Sequence, residues 1–168
     1  SARGKGTTVS ITIPARPAPA GVEAPLHAPA ALAATRGAGR VLLAEDDPIN
    51  TVLTMDMLES LGYRATIVEN GTQAIKALSQ EDFDCLLLDL QMPEMDGIAA
   101  TKAIRGAPDL GRKAEIPIIA LAGHALPGDR ERVLAAGMND YLAKPVDFDH
   151  LETVLARVMG NPDRRRLS

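Results

Sequence analysis

The sequence has no tryptophan, and only two tyrosines and two phenylalanines in 168 residues. An interior this poor in aromatic bulk has to be built from Val, Ile, Leu, Ala and Met. One cysteine, Cys85, excludes an intrachain disulfide and points to a reducing compartment. Inside an apolar run it reads as a small buried residue. No apolar stretch is long enough to cross a bilayer, so direct membrane contact is not expected. A signal peptide is not expected either, because Thr8 to Ile13 alternates polar and apolar residues. The formal net charge of −4 argues against nucleic acid as a partner. What remains is an ordinary globular composition, 46% hydrophobic and 24% charged, at a length suited to one domain plus an extension. Without a starting Met, the chain reads as an excised piece of a longer protein.

Composition divides the chain into four zones. Residues 1–14 carry Gly4-Lys5-Gly6 and then Thr8 to Ile13, where Val9, Ile11 and Ile13 share one side, as in a half-buried strand. Residues 15–39 are dominated by Ala, Pro and Gly and read as a linker. Residues 40–160 form a patterned domain, and 161–168 an arginine-containing tail with the character of a solvated end.

Within the domain, strand and helix signals alternate. Val41–Ala44 is a short apolar run followed by three acids. Pro48 to Leu61 has apolar residues at helical spacing (Ile49, Val52, Leu53, Met57, Leu58, Leu61), stopped by Gly62. Tyr63–Val68 predicts a strand, Thr72–Leu78 a helix, and Cys85–Leu88 a strand ending at an acid. Ile98–Ile104 predicts a helix and Pro108–Glu115 a loop. Ile116–Leu121 predicts a strand, Arg130–Ala136 a helix, Tyr141–Ala143 a strand and Phe148–Met159 the last helix. Strands alternating with helices predict an α/β fold, a parallel sheet covered on both faces. The continuous apolar runs suit strands buried on both sides.

Ligands in such sheets bind beyond the carboxyl ends of the strands. Those ends carry Glu45, Asp46 and Asp47, then Asp89, then Lys144. Asp47, just before Pro48, suits a helix N-cap. If the first and third strands are neighbours, Glu45, Asp46 and Asp89 converge. Two like charges about 4 Å apart repel by roughly 4 kcal/mol at an effective dielectric near 20. Such a cluster calls for a cation. All-oxygen ligands favour Mg²⁺ (or Mn²⁺), which accepts phosphate oxygens readily. Lys144 adds a compact charge for a phosphate or a carboxylate. These groups suit phosphoryl transfer to a carboxylate, with Asp89 as nucleophile.

Three segments, Leu42-Leu43-Ala44-Glu45-Asp46-Asp47-Pro48-Ile49-Asn50, Leu88-Asp89-Leu90-Gln91-Met92-Pro93-Glu94-Met95-Asp96-Gly97 and Ala143-Lys144-Pro145, resemble the signature segments of response-regulator receiver domains. Ala135 to Tyr141 is similar to the family's approach to its last strand. The resemblance covers about Arg40 to Met159. It implies a flavodoxin-like (βα)₅ doubly wound parallel sheet with strand order 2-1-3-4-5. It implies that Asp89 is the phosphoacceptor, that Asp46 binds the metal directly, Glu45 mainly through water, and Gln91 through its backbone carbonyl. It implies that Lys144 pairs with Asp89 or its phosphoryl group, across a cis Lys144–Pro145 bond. Tyr141 becomes the switch aromatic; by itself it reads as a half-buried strand residue. Gln91 and His124 occupy positions that tune phosphoryl lifetime, and His124 reads equally well as an exposed loop histidine. One position departs from the pattern: Ala122 stands where the family carries Ser or Thr, with small Gly123 following.

Gly4 to Pro14 resembles the last glycine box and final strand of a histidine-kinase ATP-binding domain. With a linker and a receiver after it, that is the layout of a hybrid sensor histidine kinase ending in its receiver. The implied partners are a histidine kinase's phosphohistidine domain, a histidine phosphotransfer protein, or both. The implied location is cytoplasmic, whether or not the parent kinase is membrane-anchored. Two other functions compete. Ala122 suits a binding module that docks its partner without phosphate. A phosphatase using an aspartyl nucleophile would call for a second acid two residues after Asp89, where Gln91 stands.

Overall fold

The structure, a computed structural model, describes residues 39–123 and 129–159. The expected strand in 1–14, most of the linker, His124 and the tail at 161–168 lie outside the described residues. Strands and helices alternate along the chain: β1 Arg40–Ala44, α1 Pro48–Ser60, β2 Arg64–Val68, α2 Gly71–Gln80, β3 Cys85–Asp89, α3 Gly97–Arg105, β4 Ile118–Ala122, α4 Asp129–Ala135, β5 Asp140–Ala143 and α5 Phe148–Met159. All strand pairs are parallel, in the order β2-β1-β3-β4-β5. This is the flavodoxin-like arrangement that the receiver resemblance implies.

Strand pleating splits each apolar run between two cores. Leu42, Ala44, Leu86, Leu88, Ile118 and Ala120 face one side, against Ala74 and Leu78 of α2, Ala100 and Ile104 of α3, and Val133 of α4. Val41, Leu43, Cys85, Leu87, Ile119, Leu121 and Leu142 face the other, against Leu58 of α1 and Leu151, Val154 and Leu155 of α5. Both layers are aliphatic, as the scarcity of aromatics requires.

Three details differ from the expectations. The segment Pro108–Glu115 is 3₁₀ helical rather than a plain loop, with buried Leu110 anchoring it. It is interrupted at Gly111, whose φ of 51° falls where side chains are disfavoured. β4 starts at Ile118, because Pro117 has no N–H for the ladder; the Pro117 carbonyl still accepts from Leu86 N–H at 2.9 Å. In α1 the fully buried positions are Thr54 and Leu58, while Ile49, Val52 and Leu53 are exposed. Ile49 lies half a turn from Leu58 on the helical wheel, so the apolar residues cannot all face the sheet.

Candidate functional site

The site grows out of the same pleat. β1 pairs Ala44 with Leu88, which brings Glu45 and Asp89 together at the next position in register. β3 pairs Asp89 with Leu121, and β4 pairs Leu121 with Leu142, two residues before Lys144. The ladder continues past the strand ends: Glu45 N–H donates to Val68 at 3.1 Å and Lys144 N–H to the Ala122 carbonyl at 2.7 Å. Glu45, Asp89 and Lys144 follow Leu43, Leu87 and Leu142 by two residues each and therefore fall on the α1/α5 side.

Two turns fix the backbone there. Asp47 caps α1, its carboxylate accepting from Ile49 N–H at 2.8 Å and Asn50 N–H at 3.0 Å, with Pro48 in the first turn. Gly97 donates to the Leu90 carbonyl at 3.2 Å, and a Cβ at this position would overlap the Asp89 carbonyl oxygen. Only glycine lets the start of α3 approach the end of β3 this closely.

Carboxylate oxygens of Glu45, Asp46 and Asp89 all lie within 4.8 Å of one another; Glu45 and Asp89 are buried and Asp46 is exposed. Lys144 Nζ donates to Asp89 Oδ2 at 2.6 Å and to both oxygens of Glu45 at 2.9 Å. Asp89 Oδ1 accepts from the Gln91 backbone N–H at 3.0 Å. Burial pushes the Glu45 carboxyl above its ordinary range; hydrogen bonding to Lys144 opposes this and the Asp89 charge adds to it. For Lys144, burial acts to lower the pKa. The hydrogen bonds and charges of Asp89 and Glu45 outweigh it, and the ammonium titrates above its usual value.

Glu45, Asp46, Asp89 and Lys144 thus come together. Gln91 is exposed two residues beyond Asp89, with its side-chain oxygen near Gly123. Ala122 is buried at the end of β4, and Tyr141 is half-buried against the opposite core from Asp89. Lys144–Pro145 is cis. Two features escaped the sequence reading. Lys144 donates to both oxygens of Glu45 as well as to Asp89, and Asn50 Nδ2 donates to Glu45 Oε1 at 3.4 Å. The signal for the second was the Asp47–Pro48 cap, which sets Asn50 in the first turn beside Glu45. A three-carboxylate cluster open on one side through Asp46, and offset by a single lysine, is a fitting donor set for a hard divalent cation.

Known proteins resemble this chain in sequence and fold. The chain is 41% identical over 123 residues to the sensor protein GacS of Pseudomonas syringae pv. syringae, covering 73% of this chain but 14% of that protein. The receiver domain of sensor histidine kinase PA1611 from Pseudomonas aeruginosa PAO1, solved with a magnesium ion coordinated in its active-site cleft, is 43% identical. It superposes with a TM-score of 0.67, covering 74% of this chain and all of that one. The receiver domain of Ssk1, solved with the histidine phosphotransfer protein Ypd1 of Saccharomyces cerevisiae, is among the similar structures; that match has 27% identity and a TM-score of 0.65, over 72% of this chain and 88% of the other. The profile of the response regulator receiver domain matches residues 41–156, and the chain belongs to that family.

Proposed function

We propose that Asp89 accepts a phosphoryl group from a phosphohistidine, with Mg²⁺ held by Glu45, Asp46, Asp89 and the backbone carbonyl of Gln91. The observation that carries this reading is the single ammonium of Lys144 shared by two buried carboxylates beside an exposed third. An Asp89 carboxylate oxygen forms the new O–P bond as the donor's N–P bond breaks, and the electron pair leaves on the imidazole. Bound Mg²⁺ supplies positive charge to the phosphoryl oxygens as the transition state spreads its negative charge over them. Gln91 N–H holds Asp89 Oδ1 and Lys144 holds Oδ2, so both oxygens are fixed in place before the phosphoryl group arrives. Once Asp89 carries the phosphoryl group as an acyl phosphate, Lys144 stays within reach of a phosphoryl oxygen in place of the lost carboxylate charge.

The donor is a kinase phosphohistidine domain or a histidine phosphotransfer protein. In support, α1 and the start of α5, which cover the face that bears Asp89, expose Ile49, Val52, Leu53 and Phe148. Apolar side chains exposed a turn apart on α1 suit an interaction surface, and the Ssk1 receiver is solved with such a phosphotransfer protein. The resemblance of residues 4–14 to a kinase ATP-binding domain, and the match to a small part of a sensor protein, support an origin in a hybrid histidine kinase. Among the described residues no helix is long and apolar enough to cross a membrane.

Acetyl phosphate labelling with Mg²⁺, read by mass spectrometry, tests the proposal. One phosphoryl group on Asp89, absent with chelator and absent in Asp89→Asn, is the expected result. Undiminished labelling of Asp89→Asn would overturn it. Ala122 keeps a second reading in play, a receiver that docks its partner without phosphate, and absence of any labelling in the wild type would favour it.

A further inference from the structure

The two oxygens of Glu45 are held unequally. Oε1 accepts from Lys144 Nζ at 2.9 Å, from Asp47 N–H at 3.3 Å and from Asn50 Nδ2 at 3.4 Å. The recorded donor to Oε2 among the described residues is Lys144 alone, at 2.9 Å. Glu45 is 1% exposed, so water cannot make good the difference. Asn50 is itself fixed: its backbone N–H is tied to the Asp47 cap at 3.0 Å, and its half-buried side chain faces back over the end of β1.

From this asymmetry we infer that Asn50 is a positioning residue that sets the orientation of the Glu45 carboxylate for the cation. The inference rests on the metal-binding reading of the site. A cation drawn to the cluster competes with Lys144 for Glu45, since both are positive and seek the same oxygens. Asn50 does not compete, because its amide is neutral and donates to Oε1 only. Together with Asp47 N–H it holds Oε1 toward the start of α1. The carboxylate keeps one rotation whether Lys144 or a metal faces it, and Oε2 is the oxygen left to change partners. Without Asn50, the carboxylate follows Lys144 more freely, and more of its preorganisation has to be recovered when the metal binds. The residue therefore acts on cation affinity through Glu45 and touches neither the phosphoryl group nor Asp89.

The test is a Mg²⁺ titration by calorimetry on the full chain, with Mn²⁺ binding followed by electron paramagnetic resonance as a second readout. A hydrogen bond 3.4 Å long falls at the weak end of the ordinary range and predicts about two- to threefold weaker binding in Asn50→Ala. Asn50→Leu, which keeps the volume and loses the donor, should weaken binding to the same extent and covers the case in which the alanine variant folds poorly. The decisive step is the Glu45→Gln background, where Asn50→Ala should cause no further loss. A persistent loss there would mean that Asn50 acts elsewhere and would overturn the inference. Equal affinity in wild type and both single variants would overturn it too. A wild type that binds neither ion would instead remove the metal-binding reading beneath it.

Discussion

Both carboxylate oxygens of Glu45 lie 2.9 Å from Lys144 Nζ, and the same nitrogen reaches Asp89 Oδ2 at 2.6 Å. One ammonium thereby offsets two acids that are almost wholly out of water. Deleting it leaves both charges unpaired. Removing one partner of a buried ion pair costs about 3–5 kcal/mol. Lys144→Ala should therefore lose stability on that order in chelator, measured by urea unfolding. Excess Mg²⁺ should restore part of the loss, and should stabilise this variant more than it stabilises wild type. Unchanged stability in chelator would show that the pair does not hold the site together.

The α1 surface separates docking from chemistry. Val52 is 63% exposed and Ile49 70%, so their side chains contribute little to the fold. Val52→Asp should shift stability by no more than about 0.5 kcal/mol, as for other surface substitutions. Burying a valine in an interface contributes roughly 1.5–3 kcal/mol, so placing a charge there should slow transfer from a phosphohistidine protein by about tenfold or more. Labelling by acetyl phosphate, which needs no docking, should be unaffected. Equal losses with both donors would place the effect in the site instead of the surface.

Much of this was readable in the sequence, for a definite reason. Val41, Leu43 and Glu45 share a parity, as do Cys85, Leu87 and Asp89, and Leu142 and Lys144. Period-two pleating delivers all three charged residues to one face, and parallel order makes them neighbours. α1 was less readable. Helical spacing identifies a helix, but with apolar residues on several sides it does not say which side the sheet takes. The sheet took Thr54 and Leu58, leaving Ile49, Val52 and Leu53 outside. The Lys144–Glu45 contact was also hidden, because it joins residues far apart in the chain through side-chain rotamers that no local pattern encodes.

Cys85 gives a pH signature. It is fully buried at the start of β3, and burial pushes its thiol up to about 12. The folded state thus holds the proton more tightly than the unfolded state, whose thiol titrates at about 8.5. The unfolded chain releases its proton first, so stability should fall as pH rises from roughly 9 toward 12. Each unit of pKa difference corresponds to about 1.4 kcal/mol, an upper limit of about 4 kcal/mol over this window. Cys85→Ala should flatten the decline in urea midpoints between these pH values. Alkylation at pH 8 should proceed only on unfolding; rapid modification of the native protein would contradict the burial.

Ala122 bears on how phosphorylation is reported. It is buried at the end of β4, on the same face of the sheet as Tyr141, whose strand partner is Ala120. The receiver resemblance implies that a hydroxyl at position 122 would bond a phosphoryl oxygen on Asp89. Alanine omits the bond. A hydrogen bond to a charged group contributes about 1.5–3 kcal/mol. Its loss from the active state shifts the equilibrium between the two states roughly tenfold or more away from it. Tyr141 should therefore respond weakly to phosphorylation of Asp89. Ala122→Thr suits a strand, since a β-branched side chain is favoured there, and it should strengthen the response. Beryllofluoride with Mg²⁺ should produce small NMR shifts around Tyr141 in wild type and larger ones in Ala122→Thr. A full shift in wild type, unchanged by the substitution, would show that Tyr141 is coupled to Asp89 without the hydroxyl.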